Sequence, residues 1–92
     1  MKHLFEECVE IVRSLAGHEY LYFDTSVEVK TSPHSYPFSA WGVCVSPDSR
    51  LYVMDSGQEW HEVEPESDSS GLVIGSLYQR LRLMRTRYAK AS

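Results

Sequence analysis

Several patterns that announce a chemistry are missing from this chain. The only two cysteines, Cys8 and Cys44, sit among apolar neighbours without the paired spacing of a zinc or redox motif, so both are read as buried thiols. No His-Glu-x-x-His pair, calcium loop or Gly-x-Ser-x-Gly elbow occurs. Gly71 and Gly75 flank Leu72-Val73-Ile74 with no following Lys-Ser/Thr pair, which disfavours a nucleotide enzyme built on a phosphate loop. No stretch approaches the ~20 apolar residues of a membrane span, and Glu6 and Glu7 interrupt the apolar core that a signal peptide needs. The expectation is a cytoplasmic protein without a membrane partner or cofactor.

What is present is ordinary globular material. The 92 residues are 42% hydrophobic, 12% aromatic and 24% charged, which excludes disorder and low complexity and suits one small α+β domain over 1–92. A core this thin gains from a partner subunit. The net charge of −4 argues against a dedicated nucleic-acid binder, but the average hides a division. Residues 1–76 hold four basic residues and all thirteen acids, whereas residues 77–92 hold Arg80, Arg82, Arg85, Arg87 and Lys90 and no acid.

Hydrophobic spacing predicts a helix over 3–16, with Leu4, Phe5, Cys8, Val9, Ile11, Val12 and Leu15 on one arc and Gly17 ending it in a left-handed conformation. From Tyr20 to Lys30 the period falls to two, the mark of a half-buried strand with Leu21, Phe23, Thr25, Val27 and Val29 on one side. Pro33 and Pro37 end that ladder. Two β-prone runs, 38–45 and 50–55, are joined by a turn at Ser46-Pro47-Asp48-Ser49, and 58–63 adds a short fourth strand. Glu64 to Gly71 is a polar connector ending in the candidate caps Asp68, Ser69 and Ser70. A last helix follows from Leu72 to about Tyr88, its stripe being Ile74, Leu77, Leu81, Met84 and Tyr88. Gly75 inside that helix marks either the close approach of a large ring or a frayed first turn. The predicted architecture is a small two-layer α+β domain: N-terminal helix, three- or four-stranded antiparallel meander, C-terminal helix.

If Ser46–Ser49 is a tight turn, Val45 faces Arg50, Val43 faces Tyr52 and Trp41 faces Met54, and these six residues share one large apolar face. The other face, with Phe38, Ala40, Gly42, Cys44, Leu51 and Val53, is also poor in polar groups, so both faces need cover. A second copy of the chain is the favoured cover. The leading functional reading is therefore a non-enzymatic protein-interaction module, a homodimer or a docking partner of another protein, with Trp41, Tyr52, Met54 and Trp60 at the contact. An alternative is a nucleic-acid accessory protein gripping phosphates with Arg80, Arg82, Arg85 and Arg87, of which Arg80 and Arg87 fall together on the helix. A third is a metal-dependent hydrolase around His61 and the carboxylates Asp55, Glu59, Glu62, Glu64, Glu66 and Asp68, although their spacing matches no known ligand motif. No metal site and no catalytic residue is assigned.

Overall fold

The structure, a computed structural model, describes residues 4–65 and 74–91, the side chains of residues 89–91 excepted. Its elements run α1 (Leu4–Ala16), β1 (Leu21–Val29), β2 (Phe38–Val45), β3 (Leu51–Met54), β4 (Trp60–Val63) and α2 (Gly75–Ala91). The strands form one antiparallel meander in the order β1-β2-β3-β4, so the α+β architecture expected from the spacing is the one observed. The expected caps Asp68, Ser69 and Ser70 lie outside the described residues, as do His3, Glu66 and Leu72.

α1 buries Cys8, Val9, Ile11 and Val12 and keeps Glu6, Glu10 and Arg13 in water. Gly17 ends it at φ 63°, its N–H donating to the Arg13 carbonyl at 2.9 Å. Two further bonds tie the helix end to the β2–β3 turn. Arg13 donates to Ser49 Oγ at 2.6 Å, and His18 Nδ1 lies 3.2 Å from the Val45 carbonyl.

The β2–β3 register differs from the tight-turn expectation by one residue. Val45 pairs with Leu51, Cys44 with Tyr52, Val43 with Val53 and Gly42 with Met54. The reason is Ser49, which adopts a left-handed φ of 68° and adds one residue to the turn. Ser46 N–H donates to the Arg50 carbonyl at 2.9 Å and Ser49 N–H to the Ser46 carbonyl at 3.0 Å, a type I turn followed by a left-handed residue. One residue of slip exchanges the faces. Val43 and Val45 therefore share the inner face with Leu51 and Val53, all essentially fully buried, and Tyr52 and Met54 turn outward.

Between the pairs Tyr22↔Gly42 and Val27↔Ala40, the four β1 residues 23–26 lie opposite the single β2 residue Trp41. Inward-facing β2 positions change there from Phe38 and Ala40 to Val43 and Val45. Thr25, expected on the buried side, is exposed at this irregularity. Arg80 of α2 spans it, donating to the Thr25 carbonyl at 2.8 Å and to Thr25 Oγ1 at 3.0 Å while lying over the Phe23 ring at 5.7 Å.

Both helices lie on the inner face. Cys8, Ile11 and Val12 of α1, Leu77 and Leu81 of α2, and Val27, Val29, Val43, Leu51, Val53 and Val63 of the sheet form one buried cluster. Gly75 opens α2 with no neighbour near where a Cβ would stand, so no ring presses on it and the first-turn reading holds. Tyr88, expected on the buried stripe, is 53% exposed.

The ends of the two edge strands meet in two places. Past the C-terminal ends of β1 and β4, Glu64 N–H donates to the Thr31 carbonyl at 2.8 Å, and at the N-terminal ends of the same strands Tyr20 meets Trp60 with ring centroids 4.7 Å apart.

Candidate functional site

The outer face is built from side chains that alternate with the core. Tyr22, Gly42, Met54 and Trp60 form one row across the four strands. Cys44, Tyr52 and Glu62 form the next. Gly42 is buried beneath its neighbours: a Cβ there would stand 3.3 Å from Tyr22 Cδ1 and 3.5 Å from Met54 Cε. The missing side chain leaves room for the aromatic rings of the two edge strands to close over the middle of the sheet. Tyr20 stacks on Trp60 and meets Tyr22 edge-on at 6.3 Å. Tyr20 and Tyr22 remain 56% and 57% exposed, and Cys44, Tyr52, Met54 and Trp60 are half-buried. Of the residues expected at a contact, Tyr52, Met54 and Trp60 share this face, while Trp41, 37% exposed, sits at the β1–β2 irregularity. Tyr20 and Tyr22 belong to the patch and were missed, because alternation along β1 shows which residues point outward but not which cross-strand rings they meet.

Charge on this face is self-contained. Arg50 lies 3.1 Å from Asp48 and 3.6 Å from Glu62, and both carboxylates hold its guanidinium in the charged form. Burial pushes the Cys44 thiol up from its ordinary value, so it is a weak nucleophile at neutral pH.

A second cluster lies in the β3–β4 turn. Asp55 Oδ1 accepts from the Gly57 and Glu59 amides at 2.8 and 3.0 Å, and Asp55 Oδ2 lies 2.7 Å from His61 Nε2. The His61 bond, followed by the Glu59 amide, holds the Asp55 carboxyl below its ordinary range, so the ionised carboxylate accepts and Nε2 carries the proton. The other side of the imidazole meets the Phe38 ring at 5.1 Å. Ligand atoms of Asp55, Glu59 and His61 lie within 4.8 Å of one another. A divalent ion bound there would have to replace the Nε2 proton and compete with the turn for Asp55. Glu62 points to the outer face with Arg50, and Glu66 and Asp68 lie outside the described residues.

The arginines of α2 divide. Arg80 is engaged by Thr25 and Phe23, and Arg82 lies over the Tyr78 ring at 5.6 Å. Arg85 and Arg87 are exposed. No helix among the described residues is long and apolar enough to cross a membrane.

Comparison with family models, with curated proteins and with solved structures finds no match for this chain.

Proposed function

We propose that this protein is a non-enzymatic interaction module of the cytoplasm that pairs with a second copy of itself through the outer sheet face. The observation that carries the reading is the placement of both helices on the inner face, which leaves Tyr20 and Tyr22 more than half exposed beside half-buried Tyr52, Met54 and Trp60. An antiparallel sheet that faces water ordinarily presents polar residues there, and this one presents aromatic rings and a methionine.

Electrostatics disfavours a polyanionic partner, because Arg50 beside the face is already held by Asp48 and Glu62. Two sheets with the same twist also stack face to face with their strands roughly aligned. Removing roughly 300 Å² of apolar surface from water on each copy is worth about 15 kcal/mol by area, and the entropy of association offsets much of it. Micromolar dimerisation is the outcome of that order. Cys8 and Cys44 are thiols rather than a disulfide, which suits a reducing compartment.

Chromatography with light scattering over a concentration series tests the reading. A dimer is expected, together with a monomer for the double variant Tyr20→Ser, Tyr22→Ser, which changes only exposed rings and should keep the far-UV spectrum. A wild-type monomer at high micromolar concentration that does not bind an apolar dye would refute it.

A further inference from the structure

A second concave feature runs between the edge strand β1 and the C-terminal half of α2. It is a groove of about 290 Å³ lined by Tyr22, Phe23, Asp24, Arg80, Met84, Arg87 and Tyr88. Buried Phe23 and half-buried Met84 give it an apolar base, with Tyr22 and Tyr88, each more than half exposed, at its sides. Arg80 and Arg87 stand two helical turns apart on one face of α2, so both guanidinium groups reach the same groove.

The two cations are not equivalent. Arg80 is fixed by the Thr25 carbonyl and hydroxyl and by the Phe23 ring, with N–H groups left over in the guanidinium fork. Arg87 is exposed and has no ion pair or hydrogen bond among the described residues. The only carboxylate in the lining is Asp24, so the groove carries net positive charge in a chain that is acidic as a whole. Arg80 also occupies the Thr25 carbonyl, one backbone acceptor of the edge strand β1, which opposes the addition of a peptide strand there. The volume is at the lower end for ligand sites, enough for one ring and one charged group.

We propose that this groove binds an anion carried on a flat aromatic ring, the chemistry of a nucleoside phosphate. The ring lies over Met84 with Tyr22 and Tyr88 beside it, and the anionic group meets Arg87 and the free N–H groups of Arg80. Asp24 is placed to accept from a ring amino group. The same chemistry has two sources, a free nucleotide and a nucleotide within a single strand. The proposal does not rest on the outer-face reading, although Tyr22 borders both features.

Calorimetric titration with adenosine 5′-monophosphate, adenosine, inorganic phosphate and a short single-stranded oligodeoxyadenylate tests it. The monophosphate is expected to saturate the protein and to bind about tenfold or more tightly than adenosine or phosphate alone. Arg87→Glu, an exposed change, should lower that affinity by about tenfold or more. Arg85→Glu, on the same helix outside the groove, should leave it within about twofold. An oligonucleotide that binds more tightly than the monophosphate supports a single strand as the source, and equal or weaker binding supports the free nucleotide. Absence of saturable binding by every probe at millimolar concentration, or binding indifferent to Arg87→Glu, would overturn the proposal. The Tyr20→Ser single variant keeps the groove intact, so nucleotide binding that survives a loss of dimerisation separates the two readings.

Discussion

Ser49 and Gln58 hold φ angles of 68° and 67°, a region that costs an ordinary L-residue about 1–2 kcal/mol and glycine little. Each is the last residue of its turn. Gln58 repeats the geometry of Ser49, with Asp55 N–H donating to the Glu59 carbonyl at 2.9 Å and Gln58 N–H to the Asp55 carbonyl at 3.0 Å. Gln58→Gly should therefore raise stability by about 0.5–1 kcal/mol, read as a higher urea midpoint at unchanged slope, since relief of strain exceeds the added freedom of the unfolded chain. Gly42 has the opposite sensitivity. A Cβ there would crowd the Leu21 carbonyl at 3.3 Å as well as the Tyr22 ring, and backbone gives way less readily than a side chain. Gly42→Val should cost about 2 kcal/mol in the same measurement and displace Tyr22, visible as altered near-UV ellipticity.

At the scale of elements, the β2–β3 and β3–β4 turns are each held by a carboxylate whose pKa lies below its ordinary value. Asp55 is lowered first by His61, and Asp48 first by the Ser46 hydroxyl. A depressed folded-state pKa stabilises fully above the unfolded value, about 3.9, and that contribution is lost as pH falls through the lower folded value. The urea midpoint is thus expected to hold from neutral pH to about 5 as far as these two groups govern it, and to fall below about 4. Asp55→Asn should flatten the acid limb, since its amide does not titrate; an unchanged limb would mean that Asp55 does not contribute to it. The β1 edge is organised differently, through Arg80 and Thr25, which are 55 positions apart. No local spacing announces such a bond, and the cationic run 80–87 reads equally well from sequence as a solvated face.

For the whole molecule, the inner faces of both helices and of the sheet meet in one cluster, so loss of a large member is felt throughout. Leu81, fully buried, should cost about 3 kcal/mol as Leu81→Ala, a large share of the 5–15 kcal/mol typical of a small domain. Tryptophan fluorescence from Trp41 and Trp60 and far-UV ellipticity should then report one shared, earlier urea transition; separated transitions would contradict a common core. The placement of the elements was legible in the chain because it rests on contacts between near neighbours: every third or fourth residue in α1, every second in β1, and the glycine after Ala16. The order of the meander followed from short connections. The register across β2 and β3 was not legible, because Ser49 adopts the left-handed conformation without the glycine that usually marks it. Nor was the identity of the exposed face, which that register sets together with the side on which the helices pack. Local spacing determines which residues form each element, and the irregularity between β1 and β2 breaks the alternation that spacing alone would continue. Only the tertiary structure decides which face is left to water, because that depends on how residues far apart in the chain bury the most apolar surface together.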